Sequence, residues 1–162
     1  PTVKYLMASR YCRADGFADF LQDNFGELRG GRRVQAMAQW IAENLEYDNE
    51  ASNGDTDAYD TFNCRRGVCR DFAHLLIALC RSSAIPARIA SVYSPDVTPP
   101  DFHAVAEVYL NGAWHLVDPT GMTTPDRMIV LGVGRDAADV AFLTAFGTAV
   151  LNEQTVTVTA QI

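Results

Sequence analysis

The strongest hydrophobic pattern in the chain lies between residues 69 and 82. Apolar side chains recur there at the i, i+3, i+4, i+7 and i+8 spacing of one helix face: Phe72, Leu75, Leu76, Leu79 and Cys80. Further alanine and isoleucine residues widen this face, so the pattern predicts a central, buried helix that begins at Cys69. We expect its narrow polar strip, formed by Arg70, His74 and Arg81, to face the solvent.

Shorter helical patterns precede the central helix. Apolar residues follow helical spacing over residues 15–25 and again over residues 32–46, and a helical turn is predicted over residues 58–62. A polar loop over residues 48–57 separates the last two. The first half of the chain is therefore predicted to be helical.

Beyond Pro86 the pattern becomes that of β-strands. The predicted strands are residues 88–93, 102–110, 113–118, 127–133 and 155–162, the last as a half-buried antiparallel strand. Residues 94–101 contain three prolines and predict an exposed loop. Together these elements predict an α+β fold, in which N-terminal helices and the central helix pack on an antiparallel β-sheet within one domain over residues 1–162.

The Asn111-Gly112 pair predicts a two-residue hairpin, and the hairpin fixes which side chains share a sheet face. With these residues at the tip, Tyr109 pairs with Trp114, and the alternation of side chains puts His103 and Asp118 on the same face. The two become diagonal neighbours within side-chain reach, unless a bulge changes the register. Glu107 shares this face and is a candidate to support the pair.

Three of these residues have the chemistry of a thiol acyl-transfer site. Cys69 at a helix start faces free backbone N–H groups and the positive end of the helix dipole, which favour the thiolate. An imidazole can exchange protons with that thiolate, and a carboxylate can fix the imidazole tautomer. We therefore expect Cys69 to be the nucleophile, His103 the general acid and base, and Asp118 the orienting acid.

Two alternatives remain open at this stage. The chain could be a binding or scaffold module that keeps the fold without turnover. It could also hold zinc through Cys64, Cys69 and a histidine, although the five-residue step between these cysteines is wider than the usual zinc knuckle. We predict neither a metal nor a cofactor.

Charge and composition narrow the range of partners. The net charge of −7 and the absence of a Lys/Arg cluster argue against nucleic-acid binding. No apolar run is long enough to span a membrane, and the first residues lack the apolar core of a signal peptide. Four irregularly spaced cysteines favour a reducing compartment, so we predict a cytoplasmic location.

Four sequence runs resemble the bacterial transglutaminase-like family of the papain-like superfamily. They are GVCRDFAHL at 67–75, AIPARIASVY at 84–93, FHAVAEVYLNGAWHLVDPT at 102–120 and GVGRDAADVAF at 132–142. The resemblance extends from about residue 11 to residue 146.

The resemblance implies a transglutaminase-like cysteine protease fold and places the family's nucleophile, base and orienting acid on Cys69, His103 and Asp118. The implied substrates are peptide or isopeptide amides, with hydrolysis and transamidation both open. Tyr47 is a candidate for the second oxyanion donor. Because bacterial members usually carry a β-rich region before this core, we expect the chain to be part of a longer protein.

Overall fold

The computed structural model describes residues 2–141, 147–148 and 150–160. Its helices are α1 (Ala18–Phe25), α2 (Gly30–Asn44), α3 (Ala58–Cys64) and α4 (Cys69–Ser82), with 3-10 turns at Val3–Tyr5 and Pro125–Arg127. Its strands are β1 (Glu46–Tyr47), β2 (Arg66–Gly67), β3 (Ala87–Tyr93), β4 (His103–Leu110), β5 (Ala113–Val117) and β6 (Ile129–Gly134). The predicted α+β fold is confirmed.

Strands β3 to β6 form one antiparallel sheet in the order β5-β4-β3-β6, and α4 packs against β3 and β4. Helices α2 and α3 also pack against α4, and α1 packs against α2, which explains why most residues of α4 are fully buried. A second, two-stranded parallel pair, β1 and β2, stands just before α4. The sequence did not predict this pair, because strands of two residues are too short to show a period.

The hairpin prediction is confirmed in detail. Asn111 and Gly112 adopt φ values of 53° and 84°, the left-handed conformation that a two-residue turn of this type requires. Tyr109 pairs with Trp114, and the β4–β5 register continues without a shift to Ala106 and Val117. The face assignment that followed from this register therefore holds.

The polar strip of α4 was predicted wrongly. His74 is fully buried and Arg81 is 4% exposed, while Arg70 is only partly covered. The guanidinium of Arg81 donates to the carbonyls of Met7 and Ala87, among others, so it ties the N-terminal segment to the sheet. Hydrogen bonding to backbone carbonyls lets this charge lie inside the protein.

Other predictions need smaller corrections. Helix α1 begins at Ala18 rather than at residue 15, and α2 spans residues 30–44 rather than 32–46. Residues 125–127 form a 3-10 turn, so the strand predicted from residue 127 begins at Ile129. Residues 155–160 form no strand, because they have no neighbouring strand among the described residues to complete a ladder, and residues 161–162 lie outside the described range.

Candidate active site

A cleft of about 660 Å³ opens at the start of α4. Its walls come from the loop after β1, from β3 and β4, and from the turn over residues 137–141. Cys69 and His103 both line it. Of the four cysteines, Cys69 is the one on this cleft, since Cys12 and Cys80 are buried in the core and Cys64 is exposed elsewhere.

Local backbone geometry presents Cys69 to the cleft. The β1–β2 pair brings the chain to Val68 in an extended conformation, and α4 begins at Cys69. The carboxylate of Asp71 accepts the Val68 N–H at 2.9 Å and so caps the helix from its first turn. A side chain at position 67 would place its Cβ 2.8 Å from the Cβ of Asp71, so this close approach needs Gly67. The guanidinium of Arg70 pairs with the carboxylate of Asp71 at 3.3 Å.

The imidazole of His103 and the carboxylate of Asp118 form a buried pair. Nε2 of His103 lies 2.9 Å from Oδ2 of Asp118, and each side chain is 1% exposed. This confirms the contact that the hairpin register predicted. Burial lowers the pKa of His103, but hydrogen bonds to Asp118 and Cys69 and the negative charges of both outweigh burial and raise it to about 9. Burial raises the pKa of Asp118. Hydrogen bonds from His103 and Thr120 lower it by more, so the pKa lies below its usual value.

Tyr47 and Cys69 meet at the mouth of the cleft. The Tyr47 hydroxyl lies within hydrogen-bonding reach of both the thiol and the backbone N–H of Cys69. Burial raises the pKa of Tyr47 to about 12, and the charge of the Cys69 thiolate contributes in the same direction. The phenol therefore remains protonated across the neutral pH range and keeps a proton to donate.

A second wall of the cleft was not anticipated from the sequence. The ring of Tyr11 stacks on His74 with centroids 5.1 Å apart, and its hydroxyl donates to the Gly54 carbonyl at 2.8 Å. Asp136 accepts the Tyr11 N–H at 3.0 Å, and His74 Nε2 accepts the Ala137 N–H at 3.1 Å. Burial lowers the pKa of His74 to about 3, so this ring is neutral. These contacts span more than 40 residues of sequence, and no local pattern could have shown them.

The remaining candidates from the sequence lie away from the cleft. Glu107 pairs with Arg88 at 2.6 Å, so it links β4 to β3 rather than supporting His103. The Cys64 thiol donates a hydrogen bond to the Arg66 carbonyl at 3.1 Å. Burial raises the pKa of Cys80 to about 12, which makes this thiol unreactive at neutral pH.

Neither a metal site nor a membrane segment is evident in the described residues. Residues 2–141, 147–148 and 150–160 contain no group of three or more His, Cys, Asp or Glu side chains arranged to hold a metal ion. Within the same part of the chain, no helix combines the length and apolar composition needed to cross a bilayer.

Comparisons with known proteins identify the family. Residues 12–119 match the model of the transglutaminase-like superfamily. The crystal structure of a candidate cysteine protease from Cytophaga hutchinsonii superposes with a TM-score of 0.87 at 41% identity, covering 91% of this chain and 51% of that one. The kyphoscoliosis peptidase of Mus musculus is 33% identical over 115 residues, covering 64% of this chain and 17% of the peptidase.

A further match is the periplasmic domain of TgpA from Pseudomonas aeruginosa, with a TM-score of 0.58 at 25% identity over 78% of this chain and 49% of that one. A periplasmic relative leaves the predicted cytoplasmic location unconfirmed. The chain spans less than half the length of the curated relatives it matches first. The family match covers most of the chain and includes Cys69, His103 and Asp118, and we conclude that the chain belongs to the transglutaminase-like superfamily.

Proposed function

We propose that this protein is a cysteine-dependent acyl-transfer enzyme that acts on peptide or isopeptide amides. In this proposal Cys69 is the nucleophile, His103 the general acid and base, and Asp118 the orienting acid. The observation that carries the proposal is the buried His103–Asp118 pair, whose ring is in contact with the Cys69 thiol on the wall of an open cleft. The cysteine protease and peptidase relatives support the same reaction class.

The reaction begins with proton transfer from Cys69 to His103. Because Nε2 of His103 is engaged by Asp118, the other ring nitrogen, Nδ1, is the one that exchanges this proton. The thiolate sulfur then bonds to the amide carbon, and the C=O electrons move to oxygen. The imidazolium protonates the leaving amine as the C–N bond breaks, which leaves a thioester on Cys69.

Water or a primary amine completes the cycle. Neutral His103 removes a proton from the incoming nucleophile, which bonds to the thioester carbon, and the C–S bond breaks to regenerate the thiolate. Water gives hydrolysis and an amine gives transamidation. Cys69 and His103 have the same roles whether the incoming nucleophile is water or an amine.

Two donors at Cys69 can stabilise the oxyanion in each half of this reaction. The first is the backbone N–H of Cys69 at the start of α4, where the helix leaves it without an intrahelical partner. The second is the hydroxyl of Tyr47, which reaches the same atoms. Loss of one donor of this kind costs about 3 to 4 kcal/mol in the barrier.

The test uses Cys69→Ala and a matched cysteine variant, Cys64→Ala, in which an exposed thiol outside the cleft is removed. Peptide libraries containing glutamine, lysine and isopeptide bonds are incubated with each protein and read by mass spectrometry. We expect cleaved or cross-linked products from the wild type and Cys64→Ala, and none from Cys69→Ala.

Iodoacetamide labelling at neutral pH gives a readout that needs no substrate. Selective labelling of Cys69 that is lost in His103→Ala supports the proposal. Cys69 labelling no faster than that of exposed Cys64, with no products, would favour a non-catalytic binding module instead.

A further inference from the structure

The carboxylate of Asp118 accepts hydrogen bonds from three residues. Oδ1 accepts the Thr120 N–H at 2.9 Å and the Thr120 hydroxyl at 2.7 Å. Oδ2 faces His103 and also accepts the Thr123 N–H at 3.1 Å. Four donors on one buried carboxylate fix both its charge and the direction of its oxygens.

The direction of the Thr120 hydroxyl is determined by its neighbours. Its oxygen accepts the Met122 N–H at 3.3 Å, so its proton is directed to Asp118, which as a carboxylate can only accept. The hydroxyl is therefore already oriented toward Asp118.

We propose that Thr120 is a positioning residue of this site, which holds Asp118 ionised and aims its Oδ2 at the ring of His103. This inference rests on the proposed function, since it concerns how the same site is kept ready. Thr120 touches neither the cleft nor the reacting sulfur, so it acts only through Asp118.

A buried hydroxyl pair fixes the same turn from behind. The Thr123 hydroxyl lies 2.6 Å from the hydroxyl of Ser94, which follows β3, and both residues are buried. Asp96, on the same loop, reaches Thr123 at 3.5 Å and pairs with Arg127 at 2.8 Å. The turn that carries Asp118 is thus tied to the loop after β3, at the same end of the sheet as His103.

The proposal predicts a change in pH dependence. Burial opposes the charge of Asp118, while His103 and Thr120 favour it, so removal of the Thr120 hydroxyl raises the pKa of this carboxyl. The titratable group in contact with Asp118 is His103 from β4. Asp96 and Arg127 are linked to the Asp118 carboxylate only through Thr123, and their opposite charges form an ion pair with each other. Ionised Asp118 favours the ion pair between the Cys69 thiolate and the His103 imidazolium. Without the Thr120 hydroxyl, Asp118 loses its proton only at a higher pH, and the Cys69 thiolate therefore also forms at a higher pH.

The experiment measures the rate of Cys69 alkylation by iodoacetamide between pH 3 and pH 10. Thr120→Val removes the hydroxyl at nearly constant shape, Thr120→Ser restores it, and Thr124→Val changes an exposed threonine nearby as a control. We expect the acid-side midpoint to rise by at least half a pH unit in Thr120→Val, and to stay at the wild-type value in Thr120→Ser and Thr124→Val. If Thr120→Val does not fold, Thr120→Ala is measured in its place.

The outcomes separate this inference from the proposed function. A wild-type profile typical of an ordinary thiol overturns both. An activated wild-type thiol with an unchanged midpoint in folded Thr120→Val overturns the positioning role alone. A shifted midpoint that Thr120→Ser does not restore also overturns it, because the hydroxyl would then not be the cause.

Discussion

The His103 ring offers the most direct test of the electrostatics at this site. Two partners raise its pKa, Asp118 and Cys69, and burial lowers it. The perturbations are Asp118→Asn, Cys69→Ser and the double variant. We expect the ring to titrate near pH 9 in the wild type, at a lower pH in each single variant, and below pH 6.5 in the double variant, where burial alone remains.

The magnitude follows from the change in the pKa of His103 from 6.5 to about 9. At about 1.4 kcal/mol for each pH unit, this change corresponds to about 3 kcal/mol of preference for the imidazolium in the folded protein. Because the folded-state pKa is the higher one, the stabilisation is fully present below pH 6.5 and is lost as the pH rises through 9. Asp118→Asn should therefore destabilise the protein more at pH 6 than at pH 10.

Nuclear magnetic resonance of the histidine rings measures these titrations directly. The chain has three histidines, and His74 remains neutral because its pKa is about 3. His115→Gln identifies the remaining signal and leaves His103 in place. Urea unfolding at pH 6 and pH 10 supplies the matching free energies of unfolding.

One result would refute the reasoning. If the His103 signal titrates near pH 6.5 in the wild type and does not move in Asp118→Asn, the contact at 2.9 Å does not favour the charged ring. A shift in Asp118→Asn with none in Cys69→Ser would assign the whole effect to the carboxylate and would contradict a contribution from Cys69.

Three further predictions test other parts of the site. Tyr47→Phe should lower kcat by about 100-fold or more, as expected for loss of an oxyanion donor, with the loss read from hydrolysis of a reporter peptide. Arg81→Met should reduce the free energy of unfolding by at least about 3 kcal/mol in urea, because the buried Ala87 carbonyl and the part-buried Met7 and Arg135 carbonyls lose their donor. Gly67→Ala should slow alkylation of Cys69 and cost about 1–3 kcal/mol of stability, since the added methyl group meets Asp71 at 2.8 Å.

Matched variants serve as controls for these three. Tyr109→Phe removes a phenol outside the cleft and should keep wild-type kcat. Arg32→Met changes an exposed arginine and should unfold like the wild type. Gly54→Ala adds a methyl group with no atom within 4 Å and should be tolerated. Equal effects in a variant and its control would contradict the corresponding prediction.

The sequence predicted the pairing of His103 with Asp118 because that pairing is local. A two-residue turn fixes the register, the register fixes the face, and both residues belong to one hairpin. The start of α4 at Cys69 was predictable for the same reason, since a long apolar period defines the helix. In each case the information lies within about 20 residues of sequence.

The buried polar residues could not be predicted in this way. A helical pattern assigns Arg81 and His74 to a polar face and therefore to solvent, because a charge or imidazole inside the protein is costly without partners. Their partners, the Met7 carbonyl and the Ala137 N–H, come from segments 74 and 63 residues away along the chain. Only the folded chain shows that this cost is offset.

The same distant contacts decide what the cleft can do. The hairpin and the start of α4 each present one reacting group, but neither determines the width of the opening between them. Arg81 holds the Arg135 carbonyl at 2.6 Å, and Asp136 holds Tyr11, so the turn after β6 is fixed against the N-terminal segment. That turn and Tyr11 line the cleft beside Cys69. Residues buried behind the site therefore set the shape of its wall, and changes at Arg81 or Asp136 should alter KM for peptides more than the alkylation rate of Cys69.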